Sequence, residues 1–287
     1  MFNSLQNIAK KLYIVGLAGL ISALPISNFF MSFFQFFILG AWILEWEMKA
    51  KLKSLLSNPT PIILSSLYVL HVIGLLWTSD YNYAFNDLRI KLPLLMLPIV
   101  ISTGTKINQK TFNVLLILFV TSVTIATFFC TNIYIFDKYK DIRDISIFIS
   151  HIRFALLICL AIFILLYFYF QQKRLYAKAI CLLTIIWLIL FIYILNSLTG
   201  LIILWLTSIF TLLYLYNKKH NTKFVYAIII LTFLPIIYIL FIGKAFIKEP
   251  QTNNFQNLAK YTLNGNPYIH DTTSRQTENG NLIYLYI

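Results

Sequence analysis

Long uninterrupted apolar runs recur along this chain, separated by short polar stretches, and they constrain its fold more than any other feature. A bilayer hydrocarbon core about 30 Å thick needs roughly 20 apolar helical residues to cross it. Inside that core every backbone N–H and C=O must be satisfied within the segment itself, which leaves helices as the form for such runs. Nine windows approach the required length: Leu12–Ile26, Phe29–Trp46, Ile62–Trp77, Ile90–Thr103, Phe112–Phe136, Phe154–Phe170, Ala177–Leu195, Thr199–Tyr216 and Phe224–Ile242. The fourth is the shortest, and Pro93 and Pro98 interrupt it. Proline in a membrane helix is accommodated where neighbours satisfy the freed carbonyls. The expectation is an all-α integral membrane protein, a polytopic bundle of about nine transmembrane helices.

Composition agrees with this. Of the 287 residues, 59% are hydrophobic and 11% charged, where a soluble domain carries about 25% charge. The mean hydropathy is +0.78. A water-soluble fold has nowhere to place so much apolar surface. The formal net charge of +13 would point to nucleic acid in a soluble protein. Here the basic residues stand in short stretches between apolar runs, so we read them as topology signals and expect no nucleic-acid partner.

An excess of Lys and Arg marks cytoplasmic loops. With the N-terminus cytoplasmic, the inner loops hold Lys10, Lys11, Lys49, Lys51, Lys53, Lys106, Lys110, Lys173, Arg174, Lys178, Lys218, Lys219 and Lys223. The outer loops hold Arg89, Lys91, Lys138, Lys140, Arg143 and Arg153, and the tail adds Lys244, Lys248, Lys260 and Arg275. Every inner loop is basic. The N-terminal lysines followed by an apolar stretch could also be a signal peptide. No small-x-small cleavage site follows, so the run reads as the first span.

Residues 1–243 are thus expected to form the transmembrane bundle. Residues 244–287 are expected to begin a periplasmic loop, rich in Asn, Thr, Gln and Gly, whose closing NLIYLYI could open a further helix. Cys130, Cys159 and Cys181 all lie in apolar runs without a CxxC pair, as small buried hydrophobes rather than disulfides or metal ligands. No internal repeat stands out.

A membrane protein reveals function through polar groups its spans do not need. In WTSDYNYAFNDLRIKLPLL, Arg89 and Lys91 precede an apolar run and could hold a phosphate or diphosphate, or snorkel to lipid headgroups. In DIRDISIFISHIRFALL, His151 could serve as a base and Arg153 could bind an anion, or both could anchor the helix at the interface. In LNSLTGLII the turn between two apolar runs is very short, and Gly200 permits close backbone approach. In the tail, His270 and Asp271 could form an orienting pair near Tyr268, Arg275 and Glu278. His71, alone in the third window, reads more readily as an interhelical hydrogen bonder than as part of a proton path. There is no Walker A sequence, HExxH, GxSxG or metal-ligand constellation, and no acidic pair placed to hold a nucleotide-sugar metal.

Taken together, these segments resemble the bacterial O-antigen ligase and O-antigen polymerase family. LLWTSDYNYAFNDLRIKLPLLMLPIVI is similar to that family's third loop and fourth helix, especially as found in Bacteroidetes. SHIRFALLICLAIFILLYF is similar to the start of its middle helices, LNSLTGLIILWLTSIFTLLYL to its Ser-Arg-Thr-Gly hairpin, and TTSRQ to the serine–arginine element of its long periplasmic loop. The resemblance implies a GT-C-like fold and a metal-independent glycosyltransferase, without cofactor, working on the periplasmic face of the bacterial inner membrane. Its donor would be a glycan on undecaprenyl diphosphate, and its acceptor lipid A-core or a second lipid-linked repeat. Arg89, Lys91, Arg153 and Arg275 match the family's diphosphate-binding cations, and His151 and His270 are the candidate bases. The family's hairpin arginine is Leu198 here, and the chain stops before the family's remaining helices. Two alternatives stand beside this reading: a flippase or transporter for a lipid-linked oligosaccharide, and a truncated, inactive remnant of the family.

Overall fold

A computed structural model describes residues 2–136 and 145–219; in the tail it describes Tyr261, Pro267, residues 270–271, 277–278, 281–282 and 285–286. These residues fall into two compact units, Met1–Leu204 and Trp205–Ile287. The first consists of helices. They are α1 (Phe2–Ala23), α2 (Asn28–Leu44), α3 (Met48–Ser57), α4 (Pro59–Gly74), α5 (Tyr81–Lys91), α6 (Pro93–Thr103), α7 (Gln109–Phe136), α8 (His151–Gln171), α9 (Leu175–Ile194) and the start of α10 (Leu198–Lys219). A single 3-10 turn, Leu75–Trp77, prolongs α4.

The helix starts follow local chemistry. Ser27, Asn58 and Asp80 each use a side-chain oxygen to accept from a backbone N–H of the first turn, at Phe30, Thr60 and Tyr83 respectively. Such caps satisfy donors a helix cannot satisfy itself. Pro59 and Pro93 stand at first-turn positions, where the missing N–H costs nothing.

Two apolar cores hold the first unit. One joins α7, α8 and α9 through Val123, Ala126, Ala155, Ile158, Leu188 and Phe191, all essentially inaccessible. The other joins α1, α2, α6 and the start of α7 through Tyr13, Leu17, Ile38, Val100 and Leu115. α1 and α2 pack closely because Gly16 leaves room: a Cβ there would lie 2.7 Å from Ile38 Cγ1.

Outside these cores the helices present large apolar side chains. On α4, Ile63 is 65% and Leu70 60% exposed. An apolar surface this extensive is suited to lipid rather than water. Five helical stretches are long and apolar enough to cross a membrane: Pro59–Trp77, Gln109–Phe136, His151–Gln171, Leu175–Ile194 and Leu198–Asn217. They number six if the bent pair α2 and α3 is one span. This is the build of a multi-pass membrane protein.

Among the described residues, fewer helices reach spanning length than the nine windows suggest. α6 has 11 residues and reaches only about 16 Å at 1.5 Å per residue, too short to cross alone. α2 has 17 residues, and the first half of α1 is polar, with Asn3, Gln6, Asn7, Lys10 and Lys11. The ninth window, Phe224–Ile242, lies outside the described residues.

In the second unit α10 is followed, among the described residues, by two-residue strands. His270–Asp271 pairs antiparallel with Leu285–Tyr286, and Thr277–Glu278 with Asn281–Leu282. The closing apolar stretch is therefore not the opening of a helix at its described residues: Asn281–Leu282 and Leu285–Tyr286 are strand. Alternation between paired neighbours uses its backbone groups across strands instead.

Candidate functional site

The returning limb after α4 carries the charges of the first candidate cluster. Pro93 cannot donate the hydrogen bond that would carry α5 onward, so the limb breaks there and resumes as α6. Ser65 Oγ of α4 donates to the Leu95 carbonyl of α6 at 3.3 Å. Nearer the other end of α4, a cleft of about 430 Å³ has one wall of Leu70, His71, Gly74, Leu75 and Thr78. Its facing wall is Tyr83, Ala84, Asp87 and Leu88 of α5. Residue numbers rise on one wall while they fall on the other, so α5 and α6 together run back along α4. His71 then lies roughly 10 Å along the helix axis from Trp77, within the apolar span rather than at its mouth.

The polar groups of this cleft are arranged in a definite way. His71 Nδ1 is 2.7 Å from the Leu67 carbonyl one turn earlier. A carbonyl only accepts, so that nitrogen carries the proton and donates, leaving Nε2 as the basic nitrogen of the ring. Lys91 Nζ donates to Asp87 Oδ2 at 2.7 Å, and the two side chains are 34% and 31% exposed. Ala84, Asp87, Leu88 and Lys91 form the less exposed face of α5, while Phe85, Arg89 and Ile90 are exposed.

This geometry separates residues that the sequence places together. Arg89 and Lys91 both lie in the last turn of α5. Two positions apart on a helix, they point about 200° apart and cannot grip one phosphate from the same face. The same holds for His151 and Arg153 in the first turn of α8, where His151 is half-buried and Arg153 exposed. α5 packs on α4 and α6, and α8 packs on α7 and α9, so the two cationic elements stand on different sets of helices. Among the described residues, neither Arg89 nor Arg153 has an ion-pair partner. His270 lies in a strand opposite Tyr286 in the second unit; its side chain and Arg275 lie outside the described residues.

The short turn between α9 and α10 is built for close approach. Asn196 takes a left-handed backbone (φ 49°), and the buried Ser197 Oγ accepts from the Gly200 N–H at 3.3 Å. A Cβ on Gly200 would lie 2.6 Å from Ala155 Cβ of α8. Cys159 Sγ donates to the Gly200 carbonyl at 3.4 Å. Leu198, where the resembling family carries arginine, is 63% exposed and takes no part in that contact.

Sequence reasoning missed a second polar cluster. Glu45 and Lys51, the latter an inner-loop charge in the sequence reading, are 4% and 5% exposed and form an ion pair at 3.0 Å. Lys51 also donates to the Trp42 carbonyl and lies 4.4 Å above the Trp42 ring. Thr105 Oγ1 donates to Glu45 Oε1, and Trp42 Nε1 donates to Thr103 Oγ1 at 2.9 Å. The six-residue spacing gives no periodic signal, because the chain turns by 112° between α2 and α3. The Asp87–Lys91 pair, by contrast, was legible as an i, i+4 spacing. Among the described residues no three His, Cys, Asp or Glu side chains gather as a metal site would need.

Compared with protein-family models, curated proteins and solved structures, the chain has no match.

Proposed function

We propose that this protein is a membrane glycosyltransferase of the O-antigen ligase or polymerase type. It moves a glycan from undecaprenyl diphosphate to lipid A-core or to another lipid-linked repeat, at the periplasmic face of a bacterial inner membrane. The observation that carries the reading is that His71 of the apolar α4 and Asp87 of α5 line one cleft, with Lys91 paired to Asp87. An ionisable residue inside an apolar span, as His71 is, is costly unless it serves a ligand or a pathway. In this reading the Lys91 ammonium exchanges Asp87 for the donor diphosphate, while Arg89, on the opposite face of α5 and without an ion-pair partner among the described residues, stays in the proposal on the strength of the sequence resemblance. A cation placed as Lys91 is stabilises the diphosphate as it leaves. His151 is the candidate base on α8, with His71 Nε2 added by its tautomer. His270, Arg153 and Arg275 remain in the proposal on the strength of the sequence resemblance.

A second reading, transport of a lipid-linked glycan, draws on the same pair: a flippase needs charged groups alongside its spans, and Asp87 with Lys91 supplies them. Gene deletion followed by a lipopolysaccharide gel separates the two. A ligase deletion removes all capping and leaves lipid-linked glycan facing the periplasm. A polymerase deletion leaves one capped repeat. A transporter deletion leaves the glycan facing the cytoplasm. An unchanged ladder rules out all three.

A further inference from the structure

We infer that α3 lies in the membrane interface and that the groove beside it holds an anionic phospholipid. The inference needs the membrane reading of the chain but not the transferase reading. The 112° turn after α2 sends α3 roughly across the direction of α2. Trp46, at the turn, is 67% exposed and left-handed (φ 60°), a residue type enriched at membrane interfaces. Along α3, Met48, Leu52 and Leu56 are 40%, 57% and 71% exposed and repeat every fourth residue, making one apolar stripe. Lys49 and Lys53 follow them by one position and are exposed along its edge. Apolar residues bordered by lysines are the pattern of a helix lying in the headgroup boundary.

The groove itself, about 280 Å³, is walled by Met48, Leu52 and Leu55 of α3, Trp42 of α2 and Ile99 of α6. Its one charged wall residue, Lys51, is neutralised by Glu45, so the interior suits an acyl chain. The positive charge of α3 that no carboxylate neutralises among the described residues sits at Lys49 and Lys53, exposed beside the stripe and next in sequence to the groove residues Met48 and Leu52, and it outweighs exposed Glu47 at the helix start. An apolar slot on a helix that also carries exposed lysines fits a lipid whose headgroup carries net negative charge, in preference to a zwitterionic one.

The test is native mass spectrometry of the full-length protein titrated with phosphatidylglycerol or phosphatidylcholine. Phosphatidylglycerol should be retained preferentially. Lys49→Gln and Lys53→Gln should each weaken that retention about fivefold, while Lys173→Gln with Lys178→Gln, on another loop, should not. As a measurement on unaltered protein, brominated phosphatidylglycerol should quench tryptophan emission more than brominated phosphatidylcholine. Equal retention or equal quenching of the two lipids overturns the inference. So does an equal loss in the Lys173/Lys178 control, or displacement of the lipid by inorganic phosphate, which would mark a bare anion site.

Discussion

The Lys51 ammonium lies 3.0 Å from the Glu45 carboxylate, across a sharp turn and almost wholly out of solvent. Through Thr105 and the Trp42–Thr103 bond, this pair ties the end of α2 to the end of α6 and the approach to α7. Removing one partner leaves a buried charge unpaired, at a cost of about 3–5 kcal/mol. Lys51→Met should therefore lower the unfolding midpoint in detergent strongly. The double variant Glu45→Leu/Lys51→Met should recover most of the loss, since apolar replacement of a whole buried pair is often near neutral. A double variant less stable than either single one would contradict this.

Gly200 is closed to any side chain by Ala155. Gly200→Ala should destabilise by about 1–3 kcal/mol through overpacking. Ala155→Gly in the same chain should restore most of it, because it removes the atom 2.6 Å from the new Cβ, while Ser197 Oγ at 3.4 Å and Ile192 Cγ2 at 3.6 Å are at ordinary contact distance. Thermal unfolding of the two variants checks both statements; equal stability of Gly200→Ala and wild type would refute the contact.

Arg89 and Lys91 should behave differently although they are close in sequence. Arg89→Cys should react several-fold faster than Lys91→Cys with a membrane-impermeant maleimide, since Arg89 is exposed and Lys91 lies on the α5 face that carries Asp87. The native background should be low, as Cys130, Cys159 and Cys181 are buried. Equal labelling rates would remove the helical separation of the two cations.

Asp87→Asn should alter stability little, by about 0.5 kcal/mol or less, because an i, i+4 pair this accessible is weak. Its effect on glycan transfer should be far larger if Asp87 holds Lys91 ready for the diphosphate. A variant with full transfer activity would remove Asp87 from the site.

Some of the site was open to reading from the chain alone. Arg89, Lys91, His151 and Arg153 stand out because a charge beside an apolar run is conspicuous. Their directions were not legible, since neighbours in sequence diverge once they join a helix. His71 and Asp87 lie 16 positions apart, and only the return of α5 along α4 brings them to one cleft.

The length and apolarity of the runs determine by themselves that this chain forms helices suited to a bilayer, because backbone groups in lipid have no other partners. The cap residues likewise determine where several helices begin. Tertiary structure alone decided that α6 is half a span, that α3 turns aside from α2, and that Glu45 meets Lys51. Each of these rests on which helix packs beside which, and apolar pattern is nearly silent on that, since lipid and a neighbouring helix are equally apolar surroundings.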